Sequence, residues 1–150
     1  MRGFEWVNNF FKSKKHTMVP KEHKTNSTHA GINKEIYSST DYIFNKMNEL
    51  GTLHNLPILL YVDAPREYIY QGNDPKASPD YRLNIMASDL AKKNNIELLD
   101  LTNNFASRFE AEKKKFNFHI DNHWNQHGHS VVGTSLAKKL GQLGCIKSLQ

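Results

Sequence analysis

Ile36, Ile43, Phe44, Met47 and Leu50 recur on one face at helical spacing, which predicts a helix over residues 33–50 that stops at Gly51. Pro57-Ile58-Leu59-Leu60-Tyr61-Val62 is different: a short continuous apolar run, read as a buried strand, which Asp63-Ala64-Pro65 ends. Residues 64–80 carry Pro65, Gly72, Pro75 and Pro79, and read as an irregular surface segment. Asp80 then caps a helix that turns Leu83, Met86, Ala87 and Leu90 inward. Asn94-Asn95 breaks that helix, and Ile96-Glu97-Leu98-Leu99-Asp100-Leu101 reads as a second strand. Phe105 and Phe109, four apart, predict a helical turn, while Phe116-Asn117-Phe118-His119-Ile120 alternates as an extended segment does. Ser130 is the expected cap of a last helix over 130–141, with Val132, Leu136 and Leu140 on one face and Ala137 alongside.

Strand, crossover helix and strand make a βαβ unit, so the two strands are expected to run parallel and to need cover on both faces. The helices over 33–50 and 130–141 are available for that role. The fold class is therefore α/β, with a parallel pair of strands and helices to cover it. Ahead of it, Phe4, Val7 and Phe11, with Phe10 beside them, predict a short amphipathic helix, and residues 12–31 form a polar loop with no apolar period. Met1 to Trp6 has neither an apolar core nor a small-residue cleavage site, so no secretory signal is expected there.

Composition narrows the function classes. The chain has 150 residues, enough for one domain, and 38% of them are hydrophobic. The longest apolar run, Ile58–Val62, is far short of the ~20 residues of a spanning helix, so no transmembrane segment is expected. A single cysteine, Cys145, excludes an intramolecular disulfide framework and a cysteine-rich zinc module. The net charge of +5 comes from dispersed lysines rather than an arginine stripe interleaved with aromatics, which speaks for a solvated surface and against nucleic acid.

The chemistry concentrates in His119-Ile120-Asp121-Asn122-His123-Trp124-Asn125-Gln126-His127-Gly128-His129. Three readings compete. Asp121 and His123 suit an orienting carboxylate and a general base, the carboxylate holding the Nδ1 proton so that Nε2 is free to accept another. Alternatively, some of His119, His123, His127, His129 and Asp121 ligate a metal. Or the histidines simply face solvent and cap local backbone.

Asp121, His123, Trp124, Asn125, Gly128 and His129 spell D-x-H-W-N-x-x-G-H, with an apolar helix behind. With the strand and proline of Leu59–Pro65, the second strand and Phe105, this order resembles the C-terminal half of an SGNH (GDSL-type) hydrolase, near the alginate O-acetyltransferase-like branch. The likeness implies a partial three-layer α/β/α fold of flavodoxin-like type and assigns residues 32–150 to that portion, with 1–31 as an N-terminal helix and polar loop. It implies a Ser-His-Asp mechanism with Asp121 as orienter and His123 as base, acting on an acylated carbohydrate or a small ester without a cofactor. Trp124 and Asn125 resemble residues that shape the catalytic loop, and Gly128 and His129 its turn into the last helix. Members of this group are often exported or associated with the cell envelope.

The family's Gly-Asp-Ser nucleophile block is missing from this sequence. Gly72-Asn73-Asp74 echoes an oxyanion-hole block but follows the 57–62 strand, and reads as a turn. Ser13, Ser27, Ser38 and Ser39 do not sit between a strand and a helix, and Ser130 lies too close to the motif. The expectation is thus the back half of a longer hydrolase, from a truncated or split reading frame, which holds acid and base but lacks the nucleophile strand. Such a chain is either marginal alone or completed by a separate chain that supplies the N-terminal half.

Overall fold

The structure, a computed structural model, describes residues 32–145. The helix expected over Phe4–Phe11 and the polar loop over 12–31 lie outside the described residues. Helix α1 (Lys34–His54) opens at Asn33, whose Oδ1 accepts from the Glu35 backbone N–H at 2.7 Å. It runs past Gly51 and closes at Asn55, which takes the left-handed conformation (φ 52°). Gly51 is thus not a stop. A Cβ there would stand 2.9 Å from the Leu56 carbonyl oxygen, so glycine lets the chain fold back across the helix on its way to the sheet. Phe44, Met47 and Leu50 are half-buried, but Ile36 and Ile43, expected inward, are exposed.

Strand β1 (Leu59–Val62) is followed by a short helix α2 (Arg66–Tyr70), a 3₁₀ turn (Pro75–Ala77) and helix α3 (Tyr81–Lys93), which leads to strand β2 (Glu97–Asp100). The segment read as irregular therefore holds a helix and a 3₁₀ turn, joined through Gly72 in a left-handed conformation (φ 73°). The strands pair in parallel, Leu59 opposite Glu97 and Val62 opposite Asp100. The chain is of mixed α/β class, mostly helical, with a two-stranded parallel sheet among the described residues.

Helix α3 packs on β2 and buries Met86, Ala87, Leu90 and Ala91, whereas Leu83 faces outward against expectation. Asp80 occupies the capping position without a side-chain cap, its own N–H instead donating to Ser78 Oγ. Buried Asn94 donates to both Asp41 Oδ1 and the Leu90 carbonyl at 2.9 Å, and Lys93 pairs with Asp41 at 2.7 Å, which clamps α1 to α3.

Helices α4 (Thr102–Glu112) and α5 (Gln126–Gln142) complete the fold. Leu101, Phe105, Phe116, Val131 and Val132 form the main core with Ala64 and Ile69, beyond the carboxyl ends of the strands. Phe105 meets Phe116 edge to face at 4.7 Å. The inward face of α5 is Gly128, Val131, Val132 and Ser135, with Leu136 beside it and Ala137 outside. Of the two helices expected to cover the sheet, α1 packs mainly on α3, while α5 packs on α4 and reaches β2 through Lys139, which pairs with Glu97 at 2.7 Å. Both strands stay half-exposed, with Tyr61 open to solvent. No helix among the described residues is long and apolar enough to cross a membrane.

Candidate functional site at the end of the first strand

The chain enters the histidine-rich segment as a narrow loop. Asn117 bridges Trp124 in antiparallel fashion, the Phe118 N–H donates to the His123 carbonyl at 3.1 Å, and the Asn125 N–H donates to the Phe116 carbonyl at 2.8 Å. The extended segment expected through Ile120 therefore ends near Phe118, and residues 119–123 bend. Asp121 organises the bend: its Oδ1 accepts from the His123 backbone N–H at 2.9 Å, a local aspartate turn. Its other oxygen, Oδ2, lies 3.3 Å from His123 Nδ1.

The two residues singled out for acid-base work thus meet, with Nε2 left for a third group. The pair is open to water, the side chains being 87% (His123) and 43% (Asp121) exposed. The backbone N–H of His123 holds the Asp121 carboxyl below its ordinary 3.8, helped less by the imidazole. A carboxyl depressed in the fold supports the bend above its unfolded value and ceases to as pH falls through the lowered one. The Asp121 carboxyl carbon, followed by NMR in acid, should therefore titrate with a midpoint under 3.8, the His123 amide proton moving with it. A midpoint at or above that value would mean the turn does not form.

Helix α5 starts immediately after the loop. Asn125 Oδ1 accepts from the Gly128 N–H at 3.0 Å, so Asn125 and not Ser130 is the cap; Ser130 sits exposed a full turn inside. The same side chain donates through Nδ2 to the carbonyls of Lys115 (3.1 Å) and Asn117 (2.9 Å), which fastens the helix start to the strand entering the loop. Asn125→Ala should lose the cap and both of these bonds, about 2 kcal/mol in urea unfolding. A loss under half that would show the loop is held elsewhere. Gly128 lies in the first helical turn rather than in a turn before it, hard against Phe116.

Trp124 fixes the loop in space. Its Nε1–H donates to Asp63 Oδ2 at 3.2 Å, and its ring lies 5.9 Å from Tyr61 and 6.2 Å from Phe105. Asp63 directly follows β1, so the loop docks at the carboxyl end of a parallel strand, where α/β folds place their sites. A cleft of about 190 Å³ adjoins it, lined by Ala64, Pro65, Arg66, Tyr68, Ser78 and Asn122. Asp63 and Arg66 were not legible as site residues; the available signal was a carboxylate placed directly at the end of an expected strand.

The histidines do not converge. His119 is exposed, His127 stacks on the Phe116 ring at 5.0 Å with Nε2 3.4 Å from Glu112 Oε2, and His129 stands edge-on to Trp124 at 5.7 Å. Positions two apart on a helix point in nearly opposite directions, which separates His127 from His129. The alternative of a metal held by His119, His123, His127 and His129 is thereby corrected: among the described residues no group of three or more His, Cys, Asp or Glu is placed to hold a metal ion. Ser38 is spent within α1, donating to the Lys34 carbonyl at 2.9 Å.

No protein-family model, curated protein or solved structure matches the chain.

Proposed function

We propose that this chain carries the base and the orienting acid of an ester hydrolase or O-acyltransferase of SGNH type, the remainder of a three-layer α/β/α domain being supplied by another polypeptide. The observation that carries the reading is the approach of Asp121 Oδ2 to His123 Nδ1, 3.3 Å, in a loop docked at the carboxyl end of β1. In that reading Asp121 keeps the Nδ1 proton in place, and Nε2 takes the proton of a serine hydroxyl as the oxygen attacks the ester carbonyl. The imidazolium then returns the proton to the departing alcohol. The acyl-serine is resolved by water in hydrolysis, or by a sugar hydroxyl in transfer. The exposure of His123 suits a base whose nucleophile arrives on a separate surface, and the half-exposed strands suit a sheet that continues into a partner.

The test is p-nitrophenyl acetate turnover. The purified chain alone is expected to stay near the uncatalysed rate. Co-expressed with the polypeptide encoded immediately upstream of Met1, tested for a strand-Gly-Asp-Ser segment, it is expected to turn over ester. Robust turnover by the chain alone, abolished by His123→Ala, would place the serine within this chain. An inert complex would overturn the catalytic reading itself.

A further inference from the structure

We propose that Arg66 is a positioning residue for His123, acting through the peptide that joins Asn122 to His123; this rests on reading Asp121 and His123 as a working pair. Arg66 is the first residue of α2, just past β1. It reaches 56 positions along the chain: its Nη2 donates to the Asn122 carbonyl at 2.7 Å and lies 3.1 Å from Asp63 Oδ2. Asn122 is the residue between the acid and the base.

The Asn122 carbonyl and the His123 N–H belong to one planar peptide unit, and it is trans, so the two groups point in opposite directions. Holding the oxygen on Arg66 therefore aims the N–H at the far side, where Asp121 Oδ1 accepts it at 2.9 Å. With one carboxylate oxygen anchored in this way, the other is presented to the imidazole Nδ1. Asp63 closes the frame, accepting from Trp124 Nε1 on the residue after His123 while it pairs with Arg66. The bend is thus gripped through its middle peptide and again one residue beyond the base, both times from the end of β1.

The arrangement is costly as mere scaffolding. The Arg66 side chain is 13% exposed, and its Nη1 is buried without a hydrogen-bond partner. Desolvating a guanidinium and leaving one of its nitrogens unmet opposes folding, and an apolar side chain would fill the space without that penalty. Only a donor can hold a carbonyl oxygen, and arginine's planar group brings that donor in at a set angle where lysine's ammonium rotates freely.

The test reads the imidazole directly, in the full chain and without substrate. Nitrogen-15 shifts of the neutral His123 imidazole report how the proton divides between Nδ1 and Nε2, with exposed His119 as internal reference. The Trp124 indole N–H resonance reports that the loop remains docked. In Arg66→Met the Nδ1–H to Nε2–H ratio of His123 is expected to fall about fivefold toward that of His119, the equivalent of one hydrogen bond. The Asp121 carboxyl should titrate closer to 3.8. Arg66→Lys keeps the charge and should move both readouts in the same direction by less; it decides the matter if the methionine variant fails to fold. A folded variant with an unchanged His123 ratio overturns the proposal. These readouts do not depend on ester turnover: an inert complex alongside a shifted ratio would sink the hydrolase reading alone, and the reverse pattern would sink only the role of Arg66.

Discussion

On the proposed hydrolase reading, His123→Ala should lower ester turnover by the chain together with its partner about 10⁴-fold, toward the upper end of what a positioned general base contributes. The expectation follows from the bonding of the imidazole. Nδ1 faces Asp121 at 3.3 Å, so the residue's one free nitrogen is Nε2, and its loss leaves a serine hydroxyl that ionises far above neutral pH. Asp121→Asn should cost less, because the carboxylate is 43% exposed and water competes for its place. The comparison is made on kcat/KM with p-nitrophenyl acetate, with a thermal melt to establish that both variants are folded. The His123 side chain is 87% exposed, so its replacement should leave the melting temperature nearly unchanged. A loss of less than tenfold would remove His123 from the chemistry.

Gly128→Ala should destabilise the domain by about 3 kcal/mol, at the upper end of the cost of overpacking a core. An added Cβ would stand 2.5 Å from the Phe116 carbonyl oxygen, 3.0 Å from the Trp124 Cβ and 3.3 Å from the Phe116 Cβ. None of these can simply swing aside. The Phe116 carbonyl accepts the Asn125 N–H, Phe116 is fully buried, and Trp124 is tied to Asp63. Relief requires the first turn of α5 to move off the loop, which would pull Asn125 from its carbonyl partners. In a thermal melt the loss corresponds to a fall on the order of 10 °C for a domain of this size. The Trp124 fluorescence should shift with it, because the indole sits on the same contact. Gly133, whose Cβ position meets no atom within 4 Å, is the control: Gly133→Ala should be neutral or mildly stabilising, through helix propensity. Equal effects at the two glycines would show that close approach is not what position 128 requires.

Much of this architecture was legible because burial and periodicity leave local marks. The continuous run Pro57–Val62 and the run Ile96–Leu101 predict strands joined by a helix, and the structure pairs them in parallel at Leu59–Val62 and Glu97–Asp100. Of the four positions that the helical spacing turns inward, Met86, Ala87 and Leu90 are buried and Leu83 is exposed. Helix boundaries were less legible. Asn125 and Ser130 are both good capping residues, and the intervening Gln126–His129 has no apolar signal to extend the helix backward. The choice falls to Asn125 because its side chain also satisfies two carbonyls of the segment entering the loop, a condition set by residues eight and ten positions away. Gly51 misled for a related reason: glycine signals a helix end locally, but here it admits the Leu56 carbonyl from the returning chain.

At the candidate site, the sequence alone put Asp121 and His123 within reach of each other, since two residues of separation in a loop allow a carboxylate to take both the backbone N–H and the imidazole of its neighbour. It also determined the strand–helix–strand order, because those signals are carried by residues next to one another. Only the tertiary structure decided where the pair sits and what steadies it: Trp124 on Asp63 across 61 positions, and Arg66 on the Asn122 carbonyl across 56. It likewise decided that His127 and His129 part company to Phe116 and Trp124 instead of gathering round a metal. Those outcomes depend on which surfaces the folded chain brings together, and spacing along the chain carries no record of that.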